Sequence, residues 1–230
     1  MPMRSNGHDR PVVAVDIDGT LAEYHQWFLR FAAQYLGRDD LPAPEEINPG
    51  KPLYRHMGIT KAQYREAKLA YRQGGLKRSM PCLPGAAGLI DQIRGIYCLR
   101  SDCDRHTGLG AEVWICTTRP YLRLDNVDPD TREWLRRNGI KYDALLFDPI
   151  GGDNKYRELM RQAGRRVACA LEDLPEQAAR AAAAGVPYTF LRDQPYNQHW
   201  QGNPRWQTAD SAFGMIQAAL DEWRFNGRAT

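Results

Sequence analysis

The fold is decided by the stretch Val12-Val13-Ala14-Val15-Asp16-Ile17-Asp18-Gly19-Thr20-Leu21, in which an apolar run ends abruptly in acidic residues. Four consecutive apolar residues without polar alternation are typical of a strand that is buried on both faces. Two carboxylates, two residues apart, follow this run directly. The stretch therefore predicts an inner strand of a parallel sheet, with Asp16 and Asp18 at its carboxyl end.

Four further apolar runs repeat this pattern along the chain, and helix-like segments separate them. The runs are 113–116, 144–147, 167–171 and 188–191, and the helical segments are 86–94, 129–138, 154–163, 175–184 and 209–224. Strand–helix alternation with continuous apolar strands favours an α/β fold, a doubly wound parallel sheet with helices on both faces.

Residues 22–80 depart from this alternation, because helical patterns and a proline-rich break follow the first strand before any second strand. We therefore expect a core made of residues 1–21 and 81–230. A small helical cap, residues 22–80, is inserted after strand one and covers the carboxyl edge of the sheet.

Composition limits the class of protein. The chain has 230 residues, 43% hydrophobic and 26% charged, which excludes an intrinsically disordered chain. No apolar stretch approaches the roughly 20 residues that span a bilayer, and the polar residues 1–10 do not resemble a signal peptide. Five scattered cysteines indicate a reducing setting, so we expect a cytoplasmic protein with no membrane partner.

The net charge of +3 is unevenly distributed. Between Lys51 and Arg78 there are eight basic residues and one acidic residue, Glu66. A basic block inside a mildly acidic body predicts an anionic partner for this segment.

Polar side chains follow several of the predicted strands, at the edge where open parallel sheets bind ligands. They are Asp16 and Asp18 after strand one, Thr117 and Thr118 after strand two, Glu172 and Asp173 after strand four, and Lys155 at a helix start. Carboxylates this close raise one another's pKa unless a cation holds them, and hard oxygen ligands suit Mg²⁺. One carboxylate could attack phosphorus while a second protonates the leaving oxygen, so the pattern predicts a Mg²⁺-assisted phosphoryl-transfer site.

These motifs, in this order, resemble the four motifs of the haloacid dehalogenase (HAD) superfamily. The resemblance implies a Mg²⁺-dependent phosphohydrolase. The aspartate two positions after Asp16, Asp18, favours a phosphatase over a dehalogenase. Asp16 would be the nucleophile. Asp18 would be the general acid/base and would also bind Mg²⁺ through its backbone carbonyl. Thr117 and Lys155 would bind phosphate, and Asp173 would be the second metal-binding carboxylate.

Three segments, 115–118, 171–173 and 195–199, resemble the 5'(3')-deoxyribonucleotidase group, and the helical insert agrees with the small cap of that group. This resemblance implies hydrolysis of (deoxy)nucleoside monophosphates through a phospho-aspartate. Glu172 stands where the group usually has Asp, which leaves open whether Glu172 or Asp173 reaches the metal.

Candidate substrate-binding residues lie beside the motifs and in the cap. They are Thr118, Arg119, Trp27, Phe28, Tyr64, Lys68 and Tyr71. Tyr64, Lys68 and Tyr71 share one helical face. That face either stacks a base and attracts phosphate, or covers the small core of the cap while its cations are solvated. Arg119 faces either the substrate or solvent.

Other functions stay open. The basic cap and the Arg/Asp-rich residues 119–137 are compatible with a polynucleotide 3'-phosphatase acting on nucleic-acid ends. A HAD phosphatase of another small phosphorylated metabolite and a catalytically idle binding module are further alternatives, although the intact motif residues disfavour the latter. The chain could be a monomer or a homodimer.

Residues 97–110 resemble an insertion. Cys98, Cys103 and His106 lie within it, but their spacing does not match a CxxC zinc site and a fourth ligand is lacking, though Asp102 or Asp104 could serve. A surface loop is the preferred interpretation.

Overall fold

A computed structural model describes residues 10–39, 53–95, 109–119, 124–148 and 155–226. Within these ranges the strands are β1 (Val12–Val15), β2 (Glu112–Thr117), β3 (Ala144–Phe147), β4 (Val167–Glu172), β5 (Thr189–Arg192) and β6 (Arg205–Trp206). The helices are α1 (Tyr24–Leu36), α2 (Leu53–His56), α3 (Lys61–Gln73), α4 (Ala86–Arg94), α5 (Val127–Arg137), α6 (Lys155–Ala163), α7 (Pro175–Ala183) and α8 (Ala209–Asn226).

The six strands form one parallel sheet in the order β3-β2-β1-β4-β5-β6. β1 lies inside the sheet, with Val12 opposite Glu112 of β2 on one side and Val167 of β4 on the other. The chain builds outward from β1 to β3 and then crosses back to β4, so the strand order reverses beside β1. Ligands bind at such a reversal point, outside the carboxyl ends of the strands. The predicted doubly wound α/β fold is confirmed.

Alternate residues of β1 supply the two layers of the core, as the period of two in a strand requires. Val13 and Val15 pack on the face covered by α4, α5 and α8, while Val12 and Ala14 pack against α6 and α7. All four side chains are fully buried. Burial on both faces explains the unbroken apolar run. β1 ends at Val15, directly before the polar residue Asp16.

The helices agree with their predicted segments, apart from shifts at their ends. α5 begins at Val127, two residues before the expected start, and Pro129 lies in its first turn. α7 begins with Pro175 at its first helical position. β6 was not predicted, because two residues, Arg205 and Trp206, are too few to form a recognisable pattern.

Helices α1 to α3 occupy the inserted segment. A capping box starts α3: the Thr60 side chain accepts a hydrogen bond from the Gln63 backbone, and the Gln63 side chain accepts one from the Thr60 backbone. α1 packs on α3 through buried aromatic rings, with Phe28 and Tyr71 edge-to-face at 5.5 Å between ring centroids. These side chains are continuous with the cluster on the α4 face of the sheet.

Some predictions fall outside the described residues. These are residues 40–52 of the predicted cap, with Lys51 of the basic segment, the part of the insertion at 97–108, with Cys98, Cys103 and His106, and residues 120–123 of the Arg/Asp-rich segment. Within the described ranges the thiols of Cys82, Cys116 and Cys169 are free. No helix in those ranges has both the length and the apolar character needed to cross a bilayer.

Candidate active site

The predicted motif residues converge at the carboxyl edge of the sheet. Asp16 directly follows β1, and its backbone N–H donates to the Leu171 carbonyl of β4 at 3.0 Å. Thr117 ends β2 and Lys155 begins α6, and the side chains of all three motif residues are buried. Residues that lie up to 139 positions apart in the chain therefore share one buried site.

The Lys155 ammonium lies at the centre of this site. It donates to Asp16 Oδ1 at 2.7 Å, to the Cys116 carbonyl at 3.2 Å and to Glu172 Oε1. Three acceptors match the three hydrogens of the ammonium. Burial disfavours its charge, but the Asp16 and Glu172 carboxylates outweigh burial and raise the pKa of Lys155. Lys155 is therefore a fixed cation beside Asp16.

Glu172 and Asp173 are adjacent, but their hydrogen bonding differs. Glu172 Oε1 accepts from Lys155 and from the Tyr156 hydroxyl, the latter at 2.5 Å, while Oε2 lies 3.3 Å from the Asp173 backbone N–H. Asp173 Oδ2 accepts from the Tyr196 hydroxyl at 2.5 Å and lies 3.5 Å from His25 Nε2. Asp173 Oδ1 is buried and has no hydrogen-bond partner among the described residues. A buried oxygen without a partner is costly unless a ligand meets it.

The carboxylates form a cluster that fits a divalent cation. Asp16, Glu172 and Asp173 each offer an oxygen, and these oxygens all lie within 4.8 Å of one another. Burial, with Glu172 and Asp18 adding to it and Lys155 opposing it, raises the pKa of Asp16 to about 7. Buried negative charge, hard oxygen donors and the unpartnered Asp173 oxygen suit a hard divalent cation.

Gly19 allows this cluster to pack closely against the turn after β1. Its φ of +91° is one that residues with a Cβ rarely adopt. A Cβ on Gly19 would lie 2.0 Å from Asp173 Oδ2 and 2.7 Å from the Tyr196 hydroxyl. The glycine in the motif is therefore required both by backbone conformation and by the position of Asp173.

Asp18 lies between two cations. Arg119 Nη2 donates to Asp18 Oδ1 at 2.6 Å, and the Lys77 ammonium binds Oδ2. Burial alone would raise the pKa of Asp18, but the Arg119 and Lys77 cations outweigh it and hold that pKa well below its usual range. Asp18 is therefore ionised in this conformation.

The structure answers one question about Arg119 and adds residues to the site. Arg119 does not face solvent: it is 3% exposed, and its Nη1 donates to Thr131 Oγ1 at 2.9 Å. Lys77 and His25 were not singled out from the sequence. Lys77 was only one of eight basic residues in its segment, and no local pattern marks either side chain, because the fold alone brings them to Asp18 and Asp173.

The aromatic candidates of the inserted helices take different positions. Phe28 and Tyr71 are each 0% exposed and pack inside the hydrophobic cluster, so they offer no surface for stacking in this conformation. Trp27 and Tyr64 are partly buried at the edge of that cluster. Lys68 lies 5.1 Å from the centroid of the Tyr64 ring. Beside the motifs, Thr118 is half-buried.

The chain resembles a curated protein in sequence and several solved structures in fold. No model of a protein family matches the chain. A Chlorobaculum tepidum protein named "Putative 5'(3')-deoxyribonucleotidase" is 25% identical over 196 residues, which cover 82% of this chain and 81% of that protein.

Solved structures of HAD hydrolases share the fold. A HAD family hydrolase from Deinococcus radiodurans, with bound phosphate and sodium, superimposes with a TM-score of 0.60 and 16% identity, covering 94% of this chain and 97% of that one. CbbY from Rhodobacter sphaeroides, in complex with phosphate, gives a TM-score of 0.56 and 22% identity, covering 92% and 99%. These structures confirm the α/β fold predicted from the sequence.

Proposed function

We propose that the protein is a Mg²⁺-dependent phosphatase that hydrolyses (deoxy)nucleoside monophosphates through a phospho-aspartate on Asp16. The observation that carries this proposal is the Lys155 ammonium held 2.7 Å from Asp16 Oδ1, at the end of the central strand and inside a cluster of buried carboxylates. A nucleophile beside a fixed cation at this edge of the sheet is arranged to receive a phosphoryl group.

In the first step, an Asp16 carboxylate oxygen attacks the phosphorus, and the bond from phosphorus to the leaving oxygen breaks. Asp18 acts in its acid form in this step, a form that the Arg119 and Lys77 cations oppose in this conformation, and gives its proton to that leaving oxygen. The Lys155 ammonium and the Thr117 hydroxyl neutralise the phosphoryl oxygens as charge builds on them. The products of this step are the nucleoside and phospho-Asp16.

In the second step, Asp18 accepts a proton from water as the water oxygen attacks the phosphorus of phospho-Asp16. The bond from phosphorus to the aspartyl oxygen breaks, and inorganic phosphate and free Asp16 are released. Asp18 needs its ionised form here, which is the form that Arg119 and Lys77 favour in this conformation.

Asp16, Asp173 and the backbone carbonyl of Asp18 would hold Mg²⁺. The unpartnered Oδ1 of Asp173 supports Asp173 over Glu172 as the second carboxylate ligand, because Glu172 Oε1 already accepts hydrogen bonds from Lys155 and Tyr156. When bound, Mg²⁺ would offset the negative charge of the phosphate and of the carboxylates.

The nucleotide substrate is supported by the name of the Chlorobaculum tepidum relative and by the segments that resemble the deoxyribonucleotidase group. Phe28 and Tyr71 are packed inside the hydrophobic cluster. We therefore propose that, within the proposed cap (residues 22–80), Trp27, Tyr64 and Lys68 contact the base or its sugar. The three free thiols agree with a cytoplasmic setting.

A second candidate is a polynucleotide 3'-phosphatase, favoured by the surface of α3. Lys61 and Arg65 are exposed there, and Lys68 and Arg72 are half-buried, all on a helix with one acidic residue, Glu66. A row of cations on one helix suits a polymer of phosphates better than a single phosphate.

The test is phosphate release with Mg²⁺ over a panel of dUMP, dTMP, other nucleoside 5'- and 3'-monophosphates, a 3'-phosphorylated oligonucleotide and small sugar phosphates. Asp16→Asn is the blank, and Asp221→Asn, at an exposed carboxylate of α8, is the matched control. We expect selective turnover of mononucleotides, lost in Asp16→Asn and retained in Asp221→Asn.

Other results would change the proposal. Preference for the oligonucleotide, with affinity that falls steeply as salt rises, would favour the second candidate. Equal phosphate release by the wild type and Asp16→Asn across the panel would refute the mechanism.

A further inference from the structure

Lys77 is a buried cation that no motif predicts. It belongs to the short 3₁₀-helix Leu76–Arg78, where the chain returns from α3 towards α4. Its side chain is 4% exposed, and its ammonium lies 3.9 Å from the centroid of the Tyr24 ring while it binds Asp18 Oδ2. Lysine is almost never buried without a partner, so the burial of Lys77 depends on Asp18.

The return segment is fixed to the core close to Lys77. The Arg78 guanidinium donates to Asp130 Oδ1 of α5 at 2.8 Å, and the Trp134 indole N–H donates to the Met80 carbonyl at 2.8 Å. Both α5 partners are fully buried. The position of the Lys77 ammonium therefore follows from how the return segment lies on α5.

The two oxygens of the Asp18 carboxylate make their close contacts with different cations from different parts of the chain. Arg119 comes from the end of β2, in the core, and donates to Oδ1 through Nη2 at 2.6 Å but reaches Oδ2 only through Nε at 3.4 Å. Lys77 comes from the return segment and makes the close contact to Oδ2. A carboxylate held through one oxygen can still rotate about its terminal torsion, which is broad in its preferences. Charge-assisted bonds to both oxygens fix its plane.

We propose that Lys77 is a positioning residue, through which the inserted helices orient Asp18 towards the leaving oxygen of the substrate. This proposal rests on the proposed function, because it assigns the orientation of the group that protonates the leaving oxygen. The inserted segment then takes part in the chemistry through Asp18, in addition to covering the site.

The test uses the chemistry of the leaving group. A p-nitrophenolate leaves without needing a proton, whereas the alkoxide of a nucleotide requires one from Asp18. Phosphorylation of the enzyme is measured by rapid quench in a single turnover, which isolates the first step. The two substrates are p-nitrophenyl phosphate and the alkyl phosphate of the panel that the wild type hydrolyses fastest.

Lys77→Met keeps the apolar stem against Tyr24 and removes the ammonium. We expect it to slow phosphorylation by the alkyl phosphate about 100-fold or more, the scale of general acid catalysis, and to change the rate with p-nitrophenyl phosphate less than about threefold. Lys77→Arg, which keeps a cation, should recover part of the alkyl rate. Because Lys77→Arg keeps a cation that can hold Asp18 Oδ2, it also supplies the comparison if Lys77→Met folds poorly.

Lys141→Met is the matched control, since it makes the same substitution at an exposed lysine that pairs with Asp91 instead of Asp18. It should change both substrates by the same factor. Equal slowing of both substrates by Lys77→Met, or no slowing, would overturn the proposal while leaving the phosphatase function intact. A wild type that phosphorylates Asp16 with neither substrate would instead remove the proposed function.

Discussion

Replacing Gly19 with alanine tests how closely the Asp173 carboxylate packs against the turn after β1. The new Cβ would lie 2.0 Å from Asp173 Oδ2, whereas Cβ contacts below 3.0 Å essentially never occur, so the carboxylate must move by at least about 1 Å. The left-handed backbone of Gly19 adds about 1–2 kcal/mol of strain. Loss of the charged hydrogen bond from Tyr196 to Asp173 adds about 1.5–3 kcal/mol.

Gly19→Ala should therefore lower the free energy of unfolding by about 2.5–5 kcal/mol. A chain of this size loses roughly 2–4 °C in Tm per kcal/mol, so we expect a fall of roughly 5–20 °C in a thermal melt. A displacement of about 1 Å in a catalytic site costs on the order of 100-fold in rate, which we expect in kcat.

Gly88→Ala, at an exposed glycine of α4 with nothing within 4 Å of a new Cβ, is the matched control. It should stabilise the protein by about 0.5–1 kcal/mol, because alanine is the better helix former. If Gly19→Ala has the same Tm as the wild type and retains its kcat within about threefold, then Asp173 does not lie against Gly19 as described.

Three further predictions concern the same site and its strands. Because burial raises the pKa of Asp16 to about 7 and Mg²⁺ requires the carboxylate, Mg²⁺ affinity of the apoprotein should fall up to about tenfold per pH unit below pH 7. Titration calorimetry measures this, and a flat profile from pH 5 to 8 would contradict it. Burial raises the pKa of the Cys116 and Cys169 thiols to about 12, so iodoacetamide at pH 8 should label them only after denaturation, as peptide mass spectrometry can check. Arg119→Lys should destabilise the fold by about 1–3 kcal/mol in urea unfolding, since one ammonium cannot replace the fork that binds both Asp18 and Thr131; an unchanged midpoint would argue against that fork.

Much of the sheet and the motif residues could be predicted from the sequence because their signals are local. A run such as Val12–Val15, buried on both faces, is apolar at every position, and the first polar residue marks the strand end. Parallel strands then place Asp16, Thr117 and Glu172 at one edge whatever the details of packing. β6 carries no such signal, because a two-residue strand has no period.

The surroundings of Asp18 and Asp173 could not be predicted in this way. Lys77 and His25 contact these carboxylates only because α1 and the segment after α3 lie beside the carboxyl edge of the sheet, and neither residue differs in local pattern from its neighbours. Helical spacing correctly placed Tyr64 and Tyr71 on one face of α3, but spacing alone does not predict which other side chains pack on that face. The structure buries Tyr71 fully and leaves Tyr64 at the edge of the cluster.

The central position of β1 has a consequence for how the chain acquires its structure. Val12 precedes its partner on β2, Glu112, by 100 residues, and the β4 partner Val167 follows later still. During synthesis at the ribosome, an apolar strand and Asp16, the proposed nucleophile beside it, therefore wait unpaired while helices α1 to α3 emerge. Pairings this distant in sequence make folding slow, and the exposed strand is the segment that a chaperone would recognise in the nascent chain.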